Sequence, residues 1–341
     1  MKKTAYLLAA FLVMIVLLLP AQAGLKKYGQ AGMTFLKIDA SGRSAAMGSA
    51  ATAIIMDASA MFNNPAGLGF VQGGEAILTQ TSWIADIKHL SGAFAYGHPT
   101  WGTVGVSFIN MDYGTMQEAF PWVQGVHSDA EFEAGYVLGR EFSPKEYCIG
   151  LGYSKQITSQ FSFGVHIKRV HQNLYESLIK HEIFGEITLN NKQDINAFDF
   201  GTLYYTGWKD LRVAMSARNF SQQGKYVTQR FELPLTFSIG TAMDVLKIFS
   251  QDEQQQLTVA LDWQHPRDYE ERYHIGIEYG LMNMFFFRGG YKFNYDEESI
   301  TGGIGLMKNI SSYGMKIDYA YGHFGEFFGA VHRFSLGIFL K

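Results

Sequence analysis

Few residues in this sequence have the types and spacing that chemistry requires. A single cysteine, Cys148, excludes an intramolecular disulfide and any multi-cysteine metal site. His181-Glu182 is not followed by a second histidine four residues after the first, so the zinc-protease pattern is absent. His166 and His171 have no partners at metal-ligand spacing and read as a lumen histidine and a loop histidine. No Gly-x-Ser-x-Gly elbow occurs, and no outward-facing Ser–His pair of the kind a membrane lipase needs is evident. Gly302-Gly303-Ile304-Gly305 lacks the strand-to-helix context of a phosphate loop and sits in an alternating run. The expectation is therefore no catalytic residue, no metal and no cofactor.

What remains is a set of charges of both signs at alternate positions: Asp199, Arg212, Arg218, Asp262, Arg272, Glu278, Arg288, Lys292, Lys316, Asp318 and Arg333. They need a frame that turns them all inward. Residues 271–280 supply the pattern, with Tyr273, Ile275, Ile277 and Tyr279 on one face and Arg272, His274, Gly276, Glu278 and Gly280 on the other. The same alternation recurs in fourteen runs, near 74–83, 89–97, 102–116, 143–156, 160–170, 195–206, 210–219, 232–241, 255–264, 271–280, 284–293, 299–307, 312–321 and 331–340. Most run about 9–11 residues, the length of a tilted strand crossing a bilayer. An even count suits closure into an antiparallel barrel. Short connections (98–101, 158–159, 207–209, 281–283 and 308–311) alternate with long ones, of which 117–142 and 171–194 are the longest. The segment 242–254 breaks the short-turn rule and reads as a short amphipathic helix.

Composition agrees. The 341 residues hold 37 Gly and 7 Pro, 15 % are aromatic, and only 17 % are charged. A soluble β-sandwich would carry more Lys and Glu on its polar face; here that face is mostly Gly and Ser. Disorder is excluded by the apolar content, and the net charge of −3 argues against nucleic acid as a partner. Lys2 and Lys3, an apolar run from Ala5 to Leu19, and Ala21-Gln22-Ala23 form a secretory signal peptide over 1–23, with cleavage before Gly24. The reading is a transmembrane antiparallel up-and-down β-barrel over 74–341, in the bacterial outer membrane and in contact with its lipid.

Residues 24–73 do not alternate and are rich in small side chains. A fourteen-strand barrel is too wide for its own side chains to fill, so this segment is expected to fold into the lumen as a plug. Asp57 reads as an N-cap for a helix through Phe62, stopped by Asn64-Pro65. An apolar site near the plug would use Met33, Phe35, Leu36, Ile38, Met61 and Phe62. Charges such as Arg212, Asp262 and Lys316 would brace the plug against the wall.

Three runs carry a resemblance: Gly42-Arg43-Ser44-Ala45-Ala46-Met47-Gly48, Asp57-Ala58-Ser59-Ala60 and Asn64-Pro65-Ala66-Gly67-Leu68. With Phe287-Arg288-Gly289-Gly290-Tyr291 and Val331-His332-Arg333-Phe334-Ser335-Leu336-Gly337, the chain resembles the PorV/PorQ family, related to the FadL-type transporters. The resemblance implies fourteen strands, an N-terminal plug, and a role in type IX secretion through binding exported proteins, other secretion components or their surface attachment. The FadL relationship implies the alternative, a channel for long-chain or other small hydrophobic molecules. The final residue, Lys341, departs from the aromatic end common in such barrels. The long connections carry Trp122, Tyr136, Tyr175 and Phe184, aromatics able to meet a protein.

Overall fold

The computed structural model describes residues 29, 31–121, 135–181, 185–226, 229–249 and 254–340. The signal peptide expected over 1–23 and the loop aromatics Trp122 and Phe184 lie outside the described residues.

Among the described residues eighteen strands form: β1 (Gly73–Ser82), β2 (Lys88–His98), β3 (Gly102–Asp112), β4 (Met116–Pro121), β5 (Tyr136–Phe142), β6 (Lys145–Gln156), β7 (Phe161–His181), β8 (Gly185–Tyr205), β9 (Arg212–Ser221), β10 (Gly224–Tyr226), β11 (Gln229–Phe231), β12 (Thr236–Asp244), β13 (Gln255–Pro266), β14 (Arg272–Leu281), β15 (Phe285–Phe293), β16 (Glu298–Ile310), β17 (Tyr313–Phe324) and β18 (Ala330–Leu340). Fourteen of them close an antiparallel barrel; β4–β5 and β10–β11 are separate hairpins. Each alternating run in the sequence overlaps one barrel strand, although 102–116 runs past β3 to Met116 of β4. The seam pairs β1 with β18, from Glu75 opposite Phe339 to Ser82 opposite His332.

Alternation sets the two faces. On β3, Val104, Val106 and Phe108 point outward and are exposed, while Thr103, Ser107, Ile109 and Met111 are buried. Exposed aromatics gather towards the strand ends, as with Tyr96, Trp101, Tyr153 and Tyr204 at one end and Tyr147, Phe220, Phe237 and Phe293 at the other. Aliphatics such as Leu151, Ile167, Ile277 and Ile304 lie between them. That banding suits a hydrocarbon layer with aromatic margins. No described helix is long and apolar enough to cross a membrane.

The connections differ at the two ends. At the short-turn end, Met282 and Asn283 both have positive φ, and Met284 N donates to Leu281 O, a tight turn matched to strand twist. The expected helix appears as Leu246–Phe249, with Phe249 strongly exposed. At the long-connection end, residues 171–194 are not the open loop expected. β7 and β8 continue as a paired hairpin up to His181 opposite Gly185, with a register shift between Asn173 and Glu176. Backbone pairing persists there although the apolar outward face stops, so alternation could not reveal it. His171 accordingly sits in a strand, stacked on Tyr147 at 4.6 Å.

Residues 31–72 run through the barrel. Short turns replace the single helix expected after Asp57. The helical turn Ala60–Asn63 has no side-chain cap, and Asp57 instead accepts from Ser59 N at 2.9 Å. Asn64 caps the next turn, Pro65–Phe70, by accepting from Ala66 N.

Candidate functional site

The lumen's contents follow from glycines on the wall. Gly105 and Gly152 lie against Met61, Gly164 against Pro65, and Gly201 against Asn64. Across the lumen, Gly240 lies against Thr52, Gly276 against Met47, Gly290 against Gly48, and Gly303 against Ala46. A Cβ at any of these positions would overlap the segment, so the wall is smooth where the segment needs backbone-to-backbone approach. Gly48 itself has φ near +63°, and a Cβ there would fall 2.8 Å from Tyr291 N. The sequence reading gave these inward glycines no role. Their recurrence on the polar face of successive strands was the available sign.

Charges join the segment to the wall between those contacts. Arg43 meets Glu278 through two N–H···O bonds at 2.6 and 2.9 Å. Glu278 also accepts from Arg288 at 2.5 Å, and Arg288 reaches Asp318 at 2.6 Å. Lys316 sits between Asp57 at 2.6 Å and Glu75 at 2.5 Å. Asp262 accepts from Ala51 N, Thr52 N and Thr52 Oγ1 at 3.0, 2.9 and 2.6 Å. Arg218 donates to Phe62 O at 2.7 Å, and Arg333 Nε to Asp39 O at 3.3 Å. Burial alone would raise the Asp57 carboxyl, but Lys316, Ser59 and Arg43 together outweigh it and hold the group at about 2. Asp39 is likewise held well below the carboxylate range, burial being overcome by Lys292 and Arg333. Some of the expected charges, Asp199 among them, meet the wall rather than the segment. Arg212 pairs with Asp210 at 3.6 Å and lies 3.4 Å from the Tyr205 hydroxyl, reaching the segment only at Met56 Sδ, 4.0 Å away, while Arg272 stacks on tyrosines.

Of the motif residues, Gly42 N donates to Ser335 Oγ at 2.9 Å, and Asn64 Nδ2 donates to Thr52 O and Thr202 O. Met47 packs on Gly276, Pro65 stands over Gly164, and Gly67 leaves no room for a Cβ beside Ile55 O.

Five of the six apolar candidates share one cluster, with Ile38 and Phe62 half-buried at its edge, and Met61 packs elsewhere. Met33, Phe35 and Leu36 pack with inward Ile109, Met111, Cys148, Val170 and Ile195, an apolar sector of a lumen face expected to be polar. Met61 is buried among the glycines. Only Phe35, Ile38 and Phe62 line the cavity of about 430 Å³ at the long-connection end. A second cavity of about 410 Å³, at the short-turn end, is lined by Arg43, Asp57, Glu75, Glu278, Arg288 and Lys316 with Phe70, Phe286 and Phe339. The two cavities share no lining residue, and the segment over 41–68 lies between them.

One cluster has the pattern of nucleophilic catalysis. Ser107 Oγ lies 2.9 Å from His166 Nε2, and His166 Nδ1 lies 3.0 Å from Asp199 Oδ2. All three are buried, from 1 to 5 % exposed, and none lines either lumen cavity. Asp199 also binds Lys168 at 2.8 Å and accepts from Asn219 N at 2.7 Å. An acyl-transfer site needs room for a substrate carbonyl beside the serine. This arrangement instead satisfies a buried carboxylate and a buried lysine. Among the described residues no group of side chains could hold a metal.

A family model described as "Type IX secretion system membrane protein PorP/SprF" matches residues 136–338. Three solved structures share the fold. The toluene transporter TbuX of Ralstonia pickettii is 13 % identical, with a TM-score of 0.54 over 86 % of this chain and 96 % of that one. The toluene transporter TodX of Pseudomonas putida is 12 % identical, with 0.54 over 92 % and 97 %. A Pseudomonas aeruginosa FadL homologue is 12 % identical, with 0.54 over 93 % and 99 %. No curated protein matches the chain.

Proposed function

The chain belongs to the PorP/SprF family of type IX secretion system membrane proteins, and from that premise we propose that it is a non-enzymatic, plugged outer-membrane barrel that binds exported proteins or secretion components at its long-connection face. In this reading the signal peptide is removed before Gly24, and the short turns face the periplasm. Residues 24–73 are the plug, and Arg43, Asp57, Asp262, Glu278 and Lys316 brace it. The PorV/PorQ-type role, attachment or capture of exported proteins, is the finer form of the proposal.

The observation that carries it is the contrast between a filled lumen and a built-up outer face. The wall glycines receive residues 46–65 at close range. Beyond the barrel rim, β7–β8 and β4–β5 stand up, with Arg140 Nη2 donating to Glu176 O at 2.7 Å to join them. Phe120, Tyr136 and Leu138 are exposed on that hairpin, and exposed aromatics of this kind are typical anchors of protein interfaces.

Deleting 177–189 should leave the heat-modifiable barrel intact in outer-membrane fractions. It should weaken capture of exported proteins from the host's own secretome. The second reading, a hydrophobic-compound channel, draws on the apolar cluster around Met33 and Phe35 and on the shared fold of the toluene transporters. It takes over if the wild type captures no exported protein while its loss abolishes growth on a hydrophobic nutrient.

A further inference from the structure

The cavity at the long-connection end is lined by more cations than carboxylates. Lys37, Arg218, Arg272 and Lys292 line it, against two carboxylates, Asp39 and Glu298. Lys292 already engages both of those carboxylates, and Lys37 pairs with Asp268. Arg272 has no ion pair with a described carboxylate. Its guanidinium lies 4.4 Å from the Tyr269 ring centroid and 3.9 Å from that of Tyr295. Arg272 Nε and Arg218 Nε are both buried without a hydrogen-bond partner, as is Asn63 Oδ1 on the same cavity wall. Stacking between rings fixes the guanidinium plane but leaves its charge and its N–H edge unused. A carboxylate fits that edge through two parallel hydrogen bonds.

Beside polar Ser49, Asn63 and Gln264, the lining carries apolar and aromatic side chains, Phe35, Ile38 and Phe62 on the segment side and Trp83, Ile87 and Tyr113 on the wall side. About 430 Å³ is within the range of small-molecule pockets. Trp83, Ile87, Tyr269 and Tyr295 lie in connections at the barrel's outer end, so the approach is from that end.

We propose that this cavity binds a small organic monoanion, a carboxylate carrying an aryl or short alkyl body, with Arg272 as its main charge partner. The site is separate from the hairpin face, so partner capture can fail while this binding survives, and the reverse.

The probes are 3-phenylpropionate, its neutral amide and ethylbenzene, titrated calorimetrically into the purified full-length barrel in detergent, with empty micelles as reference. The carboxylate should bind saturably, and the amide at least about tenfold more weakly, because it lacks the charge. Arg272→Gln should lower the carboxylate affinity by about tenfold or more and leave the amide unchanged. Absence of saturable carboxylate binding overturns the proposal. So does equal binding of amide or ethylbenzene, which marks a neutral hydrocarbon site, or an unchanged affinity in a folded Arg272→Gln barrel. If that variant does not fold, the carboxylate–amide comparison on the wild type decides alone.

Discussion

The two ends of the lumen use the same residue types in opposite ways. Towards the short-turn end, each cation meets carboxylates: Arg43 and Arg288 share Glu278, and Lys316 is held by Asp57 and Glu75. Between those pairs the wall is glycine, and the segment lies directly on backbone. Towards the long-connection end, the wall carries side chains, the cavity stays open, and Arg272 is stacked rather than paired. A buried charge whose partner is fixed holds structure together; removing one member leaves the other stranded. A charge held by rings keeps its capacity to bind something else. The comparison teaches that charge count does not separate bracing from binding. The arrangement of partners does.

The strongest way to break this comparison is to strand charges at the paired end. Glu278→Ala leaves Arg43 without its carboxylate and Arg288 with Asp318 alone, at a cost of at most about 3–5 kcal/mol. Amide hydrogen exchange over residues 41–68 should then accelerate strongly, while the barrel strands stay protected. Arg272→Gln should leave exchange in that segment near wild type. Equal effects of the two variants would erase the distinction between the ends.

A smaller effect is expected from filling the smooth wall. Gly201→Val places side-chain atoms where Asn64 Oδ1 stands, with backbone from Thr202 also engaged by Asn64. Overpacking of this kind costs about 1–3 kcal/mol. The same exchange measurement should show loosening of 60–68. Gly289→Val, whose Cβ would meet nothing closer than 4.0 Å, should not.

The smallest effect is set by pH. Asp57 is held at about 2, below the ordinary value of 3.8. A depressed carboxyl contributes stability that is complete above the unfolded value and lost as pH falls through the folded one. The difference in exchange of the segment between wild type and Asp57→Asn, which isolates this carboxyl, should therefore be flat from pH 7 to about 5. It should shrink between about 4 and 2. A difference lost already between pH 7 and 5 would place the sensitive group elsewhere.

His274 sharpens what the sequence could supply. Alternation correctly turned it inward, and a wet lumen was the natural setting for it. The structure instead buries it, with Nε2 2.9 Å from the Tyr295 hydroxyl and Lys292 and Arg272 nearby. Arg at 274 would add a cation to a dry cluster that already has several, so it is not the mild substitution that alternation suggests.

The sequence by itself determined the fourteen strands, their facing and their closure, because period-two alternation is a local property and lipid enforces it on every strand. It also marked the charges and the small-residue segment that had to go somewhere. Which charges meet, and which do not, depended on register between strands far apart in sequence and on the path of residues 31–72 past them. Glu278 with Arg43, Asp262 with Thr52, and Arg272 between Tyr269 and Tyr295 are decided by that path. The hairpin beyond the rim also needed the tertiary structure, since backbone pairing outside the hydrocarbon leaves no hydrophobic period to read. Local periodicity records the solvent each face meets; partner choice records geometry across the lumen, which no local pattern carries.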